Sequence, residues 1–434
     1  MIRRIGLGLV TLVVVAVVGL GLWLAVAPPE LSRVADGYAA KIVCSNVFLA
    51  HRDPSEVLAV DVQAPGNPVL KLINVSVDKA AGTVTAKMLG FVAPQVAISR
   101  PGFGCTLVPD GTLSAVAEVP APGLHVAGIA PWDEAPDTKV AAVIADATLA
   151  GPGVRAIVVA RGGKLVGETY AGGFGKDTPL LGWSMAKTVN AMLIGRLILQ
   201  GKIGLDDTGL LAEWADGRKD IKLRDLTAMA SGLQFNEDYG DVSDVNRMLF
   251  LEPDMATFAA AQQLTSKPGS TFNYSSGTGT MLARIWMGRV GAAAPSYPQT
   301  ALFAPLGVDT AVIEPDEAGT LVGSSYMYAT ARDWARIGQF LLQDGVWNGQ
   351  RLLPEGFVKL MQTTNGLPGG YSQMQTWLEP DYGLPPDSFW LEGHDGQFVA
   401  VIPSAQLVVV RMGLTPSKLG YSPAALVKAV PAAR

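Results

Sequence analysis

Residues 182–187 read Gly-Trp-Ser-Met-Ala-Lys and stand where the chain enters a segment of regular helical pattern. Apolar residues recur at helical spacing and predict a helix over residues 185–199. Ser184 then lies at the helix N-terminus, where free backbone N–H groups and the helix dipole stabilise a developing negative charge. Residues three apart share a helical face, so the Lys187 amine can reach the Ser184 hydroxyl. The pair is a candidate nucleophile with a candidate proton acceptor.

The same Ser-x-x-Lys spacing occurs again at Ser76 and Lys79. That copy lies in residues 72–77, an alternating apolar and polar run that predicts a strand. Residues three apart on a strand point to opposite faces, so this second pair cannot align. The candidate site is therefore the copy at Ser184.

Strands are predicted near both ends of the region 136–434. Residues 154–159 and 164–170 flank two glycines, and residues 398–402 and 407–411 flank Pro403-Ser404, so each pair predicts a hairpin. Helical patterns lie between the hairpins, and one more follows them. These patterns predict an α/β (α+β) fold in which one antiparallel sheet is built from both ends of the region, flanked by helices and with a helical insertion. The further helices are predicted over residues 223–229, 277–287, 329–342 and 424–430.

Two more segments carry side chains suited to catalysis or binding. Tyr274 follows a Pro-Gly turn and precedes a predicted helix, where its phenol can shuttle a proton. His394, Asp395 and Gly396 open the strand 398–402, and a glycine there lets a ligand approach the strand closely.

The order of these motifs resembles the penicillin-recognising serine hydrolases, in particular the β-lactamase-related branch of class C β-lactamases, esterases and 6-aminohexanoate-dimer hydrolases. The resemblance covers roughly residues 136–434 and implies a β-lactamase/transpeptidase-like fold. Its three signatures are Ser184-x-x-Lys187, Tyr274-Ser275-Ser276 and His394-Asp395-Gly396. Further segments that resemble this branch are 223–226, 231–233, 326–330, 344–347 and 353–356.

The resemblance also implies roles for the motif residues. Ser184 would be the acylated nucleophile, and Lys187 and Tyr274 its proton-transfer partners, in an order that the sequence leaves open. The oxyanion hole would be formed by the backbone N–H groups of Ser184 and Gln397. Residues expected to contact substrate are Ser276, His394, Asp395 and Gly396.

Two of these positions depart from the β-lactamase pattern. Ser276 stands where class C enzymes have an asparagine, and His394-Asp395 replaces a Lys-Thr pair. The lysine would offer a permanent positive charge to the carboxylate of a β-lactam, whereas a histidine is mostly neutral at pH 7. The resemblance therefore implies hydrolysis of a small-molecule amide or ester through an acyl-enzyme, without a cofactor. The alternatives are a D-Ala-D-Ala carboxypeptidase or weak β-lactamase at the cell wall, and a catalytically silent envelope protein that binds peptidoglycan or a partner.

Composition excludes other classes of function. The 434 residues carry a net charge of −5 and contain no basic block, so a nucleic-acid partner is not expected. Only three histidines and two cysteines occur, which is too few for zinc-finger or iron–sulfur ligation.

The apolar pattern of the first 26 residues predicts that the protein is exported. Residues 5–26 contain no charge over 22 positions, enough for a helix to cross a bilayer core of roughly 30 Å. Arg3 and Arg4 precede this span, so we expect a single-pass anchor in the inner or cytoplasmic membrane with residues 28–434 on the periplasmic or extracellular side. A cleaved signal peptide and a buried helix are the alternatives. In the oxidising space outside, Cys44 and Cys105 are expected to form a disulfide.

The chain is predicted to have three parts. Residues 1–27 form the cytoplasmic stub and anchor, residues 28–135 a small β-rich module of unknown role, and residues 136–434 the hydrolase domain. The second boundary rests on a proline-rich and acidic stretch at residues 130–137.

Overall fold

The computed structural model describes residues 2–64, 66–113, 131–240 and 242–432. Its helices are α1 Ile2–Val26, α2 Glu30–Phe48, α3 Pro54–Val57, α4 Thr138–Ala145, α5 Ala147–Ala150, α6 Met185–Leu199, α7 Leu223–Thr227, α8 Asp244–Leu251, α9 Met255–Ala260, α10 Ser276–Val290, α11 Ala304–Leu306, α12 Ala331–Leu342, α13 Phe357–Met361 and α14 Pro423–Ala432. Its strands are β1 Ile73–Asp78, β2 Thr83–Met88, β3 Val92–Arg100, β4 Gly104–Val108, β5 Val154–Arg161, β6 Lys164–Tyr170, β7 Leu180–Leu181, β8 Val312–Ile313, β9 Met327–Ala329, β10 Val346–Trp347, β11 Gln350–Arg351, β12 Phe389–Gly393, β13 Gln397–Ile402 and β14 Leu407–Gly413.

A five-stranded antiparallel sheet in the order β12-β13-β14-β5-β6 is the centre of the larger part of the chain. Both predicted hairpins are present, and β14 of the second pairs with β5 of the first. The prediction of one antiparallel sheet built from both ends of the region, with helices inserted between, is confirmed. The sequence did not predict the edge strand β12.

Helices cover both faces of this sheet. On one face, α4 and α14 contribute Val140 and Leu426 to a core that also contains Ile157 and Val409 of the strands. On the other face, α12 lies so close that a side chain on Gly338 would meet Val408 at 2.6 Å. The small residue permits this approach, which fixes α12 against the sheet.

A second, three-stranded sheet in the order β7-β9-β8 lies beside the start of α6. Leu180 pairs with Ala329, and the Gly182 N–H then donates to the Met327 carbonyl at 2.9 Å. This short sheet holds the turn that leads into Ser184. Such two- and three-residue strands carry no period in the sequence, and so they were not predicted.

The chain divides into two compact units, one of residues 1–99, 105–115 and 238–253, and one of the remainder. Within the first unit, the sheet β1-β2-β3-β4 occurs together with the 19-residue helix α2, which the expectation of a β-rich module did not include. Helix α8 packs on α2, where a side chain on Gly37 would meet the Phe250 carbonyl at 2.9 Å. Residues 114–130 of the proposed module lie outside the described residues, and the three-part division stays a prediction.

The predicted disulfide between Cys44 and Cys105 is present, with a Cα–Cα distance of 6.0 Å. It joins α2 to β4 inside the first unit. The pairing of these cysteines is therefore confirmed.

The predicted membrane-spanning helix is not supported. Among the helices whose side chains are described, none is by itself long and apolar enough to cross a membrane. Val10–Val26 and Glu30–Phe48 meet that requirement only as a pair bent by 62°.

Candidate active site

The turn before α6 holds Ser184 at a half-buried position. Trp183 has a φ of 48°, a left-handed conformation that is rare for a bulky residue. Gly182 has no room for a side chain, since a Cβ would lie 2.3 Å from the Trp334 ring. Packing of this kind holds a strained turn in one shape, as is common at functional sites. Ser184 is half-buried there, whereas the first turn of the helix behind it is buried.

Lys187 is buried, with 1% of its surface exposed, and its amine contacts Ser184 as the sequence predicted. The Nζ atom donates hydrogen bonds of 3.0 Å each to Ser184 Oγ, Ser276 Oγ and the Ser324 carbonyl. Burial lowers the pKa of Lys187 to about 8, while the charge of Glu237 opposes that shift. The neutral amine is therefore a minor form at pH 7 and becomes the main form above about pH 8.

Tyr274 lies against the same pair. Lys187 Nζ is 4.8 Å from the centroid of the Tyr274 ring, and the Tyr274 and Ser184 side chains share a hydrogen bond. Burial, together with the charge of Glu237, raises the pKa of Tyr274 well above its ordinary value. The phenol thus keeps its proton at neutral pH and is suited to donate or relay it.

Ser276 connects Lys187 to a carboxylate that the sequence did not identify. Its backbone N–H donates to Glu237 Oε2 at 2.7 Å, and its hydroxyl donates to Glu237 Oε1. The neighbouring Ser275 caps α10 through a 2.9 Å bond from the Thr278 N–H, which fixes the start of that helix. Ser184, Lys187, Ser276 and Glu237 thus form one chain of hydrogen bonds.

Aromatic rings form one wall of the site. The ring centroid of Tyr274 lies 5.1 Å from that of Trp377 and 5.7 Å from that of Tyr371, and those two rings are 4.8 Å apart. Trp377 also pairs with Trp390, with N–H to carbonyl distances of 3.0 and 2.8 Å in the two directions. The wall is therefore attached to the edge strand β12.

The register of β12 bears on the expected oxyanion donor, Gln397. The backbone N–H and C=O groups of Trp390 point away from β13, toward Trp377. Because these groups change side at every residue along a strand, those of Gly393, three residues on, point toward β13, where Gly393 pairs with Gln397. The N–H of Gln397 therefore faces β12, and its side chain bonds the backbone of Gly413. Gln397 does not fit the role of oxyanion donor.

The backbone N–H of His394 is an alternative candidate donor. Gly393 is extended, with φ −123° and ψ 157°, so the next N–H, that of His394, points to the outer edge of β12. That end of the strand touches the nucleophile turn, because a Cβ on Gly393 would lie 2.1 Å from the Gly182 carbonyl. The His394 ring also lies edge-on to Trp183, with centroids 5.9 Å apart. The backbone N–H groups of Ser184 and His394 are thus the candidate oxyanion donors.

The rest of the third motif shapes the turn. Asp395 has a φ of 60° and lies 3.5 Å from His394 Nε2, and burial raises the pKa of its carboxyl. The Gly396 carbonyl accepts a 2.8 Å bond from the buried Arg411 guanidinium. These contacts give Gly396 a structural part, while His394 is the more exposed residue of the motif.

The chain is similar to known hydrolases over most of its length. Over 294 residues it is 27% identical to a 6-aminohexanoate-dimer hydrolase from Paenarthrobacter ureafaciens, covering 60% of this chain and 72% of that protein. A putative 6-aminohexanoate-dimer hydrolase from Bacillus anthracis aligns with a TM-score of 0.58 at 22% identity, over 73% of this chain and 88% of the other. EstCE1, described as a hydrolase with promiscuous acyltransferase activity, aligns with a TM-score of 0.54 at 18% identity, over 68% and 98% of the two chains.

The two structural alignments show a shared β-lactamase-like fold of antiparallel sheet and helices. A match to a family profile covers residues 142–419, which include all three sequence motifs. This match confirms the resemblance stated from the motifs: the chain belongs to the Beta-lactamase family.

Proposed function

We propose that this protein is a serine hydrolase that cleaves a small amide or ester through an acyl-enzyme on Ser184. The observation that carries the proposal is the buried Lys187 amine, 3.0 Å from the Ser184 hydroxyl. A catalytically silent binding protein has no need of a lysine desolvated against a serine. Buried amines with a lowered pKa are typical of general bases.

In the first step, neutral Lys187 takes the proton of Ser184 as Oγ attacks the carbonyl carbon. The negative charge that develops on the carbonyl oxygen is stabilised by the N–H groups of Ser184 and His394. Tyr274 is protonated before this step. It donates its proton to the leaving amine or alcohol and then takes up the proton that Lys187 received from Ser184. The C–N or C–O bond breaks, and the acyl group remains on Ser184. Water then attacks this ester by the reverse proton route and releases the carboxylic acid.

The side chains around Ser184 favour substrates with an apolar acyl chain and no carboxylate next to the scissile bond. Aromatic rings of Tyr371 and Trp377 offer an apolar wall beside Tyr274. The Glu237 carboxylate lies behind Ser276, and His394 stands where the resemblance expects a lysine. Linear amides and short-chain esters fit these features better than penicillins.

Export is part of the proposal. The disulfide between Cys44 and Cys105 supports it, because such bonds form and persist mainly in oxidising compartments. The direct test of the enzymatic proposal is labelling with a fluorophosphonate, comparing the wild type with Ser184→Ala by intact mass.

A further inference from the structure

The hairpin of β2 and β3 ends in a loop of three exposed residues, Leu89, Gly90 and Phe91. Leu89 is 48% exposed and Phe91 is 49% exposed. The Leu89 N–H donates to the carbonyl of Leu72 at 2.8 Å, and Leu72 is itself 46% exposed. Leu72, Leu89 and Phe91 therefore lie close together at one end of the four-stranded sheet, and we call these three residues the apolar tip.

The loop holds Leu89 in a conformation that leucine rarely adopts. Its φ is 53°, and the following Gly90 has a φ of 80°. In hairpin loops, two successive positions with positive φ are usually occupied by Asn, Asp or Gly, which adopt this conformation at low cost. An exposed leucine has no such advantage and gains little packing inside the protein. Strained residues of this kind are common at functional surfaces.

The charged groups exposed beside the apolar tip are basic. Lys71 precedes Leu72 and is exposed, and Lys87 lies two residues before Leu89 and is half-buried. Among the residues that the structure describes, neither lysine is in an ion pair. The Asp36 carboxylate accepts a backbone N–H at the end of β2, but it is buried, and burial raises its pKa to about 7. The surroundings of the tip therefore suit an anionic surface.

We propose that the apolar tip inserts into the headgroup region of a bilayer that contains anionic lipids. Leucine and phenylalanine side chains leave water at the boundary between headgroups and acyl chains. The negative surface potential of anionic lipids attracts lysines that lie next to such residues. A protein partner would need a matching cavity for a three-residue loop, whereas a bilayer receives the loop without one. This surface lies in the first unit, and its role does not depend on the proposed hydrolase chemistry.

The test uses the full chain with one new cysteine that carries the fluorophore NBD, whose emission rises in an apolar environment. Both native cysteines are in the disulfide, so the new thiol alone is labelled. A label at Phe91→Cys reports on the apolar tip. A label at Lys79→Cys is the control, because Lys79 is exposed and lies about 20 Å along β1 from Ile73, beyond the other end of that strand.

The first measurement is emission with vesicles of phosphatidylcholine and phosphatidylglycerol. We expect emission from the Phe91→Cys label to rise at least about twofold, and emission from the Lys79→Cys label to stay near its value in buffer. Attachment of the chain through α1 alone would not produce this difference, because both labels lie in the same unit as α1. Vesicles of phosphatidylcholine alone should give at most about half the rise.

Further substitutions in the chain labelled at Phe91→Cys separate the apolar from the basic contribution. Leu89→Ser should remove most of the rise, whereas Leu419→Ser, at a leucine that is 46% exposed in the second unit, should not. Lys71→Gln combined with Lys87→Gln should abolish the difference between the two kinds of vesicle. Lys79→Gln should leave that difference unchanged.

Folding of each variant is checked by circular dichroism and thermal unfolding, and Leu72→Ser replaces Leu89→Ser if the latter does not fold. The proposal is overturned if the Phe91→Cys label shows no rise, or if the labels at both positions rise equally. An equal rise with neutral and anionic vesicles would overturn the anionic requirement. A rise without vesicles that grows with protein concentration would assign the apolar tip to a second copy of the chain and overturn the membrane.

Discussion

Ser276 and Glu237 are joined by two hydrogen bonds, one from the backbone N–H of Ser276 at 2.7 Å and one from its hydroxyl. The same hydroxyl accepts a 3.0 Å bond from Lys187 Nζ. Glu237 therefore acts on the lysine through Ser276 and through its charge, without touching the nucleophile. This relationship makes Glu237 a positioning residue whose effect is visible in the pH dependence of the reaction.

Replacing Glu237 with glutamine should move the pH–rate profile. The charge of Glu237 raises the pKa of Lys187 against the effect of burial, so its removal lowers that pKa further. We expect the rising limb of kcat/KM to shift to lower pH by about one unit. Glu355→Gln, at an exposed glutamate, is the control and should leave the profile unchanged. An unshifted profile in Glu237→Gln would mean that the carboxylate does not influence the base.

The wild-type profile itself tests the role of the lysine. Protonated Lys187 cannot accept the proton of Ser184, so activity should be low in acid and rise through the pKa of Lys187, at about 8. The plateau should follow above that pH. The measurement is kcat/KM for a p-nitrophenyl ester from pH 5 to 10, because this ratio reports the pKa values of the free enzyme. A flat profile between pH 6 and 9 would exclude Lys187 as the base.

Tyr274→Phe should affect amides more than activated esters. The Tyr274 phenol keeps its proton, and an amine leaving group needs that proton whereas p-nitrophenolate does not. We expect kcat to fall about a hundredfold or more on a linear amide, and by clearly less on a p-nitrophenyl ester. Tyr382→Phe, at another half-buried tyrosine, should change neither. Equal losses on both substrates would show that Tyr274 does not serve the leaving group.

The third motif should set a modest preference against anionic substrates. His394 stands at the position of a lysine in the related pattern, and it contacts Trp183 and Asp395 rather than offering a permanent charge. We expect kcat/KM for short-chain esters or linear amides to exceed that for a cephalosporin by at least about tenfold, or about 1.4 kcal/mol. His394→Lys should narrow the gap. A wild type that prefers the cephalosporin would exclude this motif as the source of selectivity.

The parts of the site that were predictable are local in sequence or carried by motifs. Ser184 and Lys187 lie three positions apart on one helix, and the two hairpins have clear alternation, so both were predicted. Glu237 was missed because it lies 39 positions from Ser276, and no periodic signal marks the loop that contains it. The direction of the Gln397 N–H could not be predicted from the motif, because it depends on the pairing of Trp390 with Trp377 and of Gly393 with Gln397.

The acyl-enzyme mechanism is tested most directly by covalent modification of Ser184. Incubation with a fluorophosphonate should add one adduct mass to the wild type, mapped to the peptide containing Ser184, and should abolish ester hydrolysis. Ser184→Ala should take up no adduct and show no turnover while unfolding at a similar temperature, since one hydroxyl at a helix start contributes only about 1 kcal/mol. If Ser184→Ala turned over ester at the rate of the wild type, or if the adduct lay on another residue, an acyl-enzyme on Ser184 would be excluded.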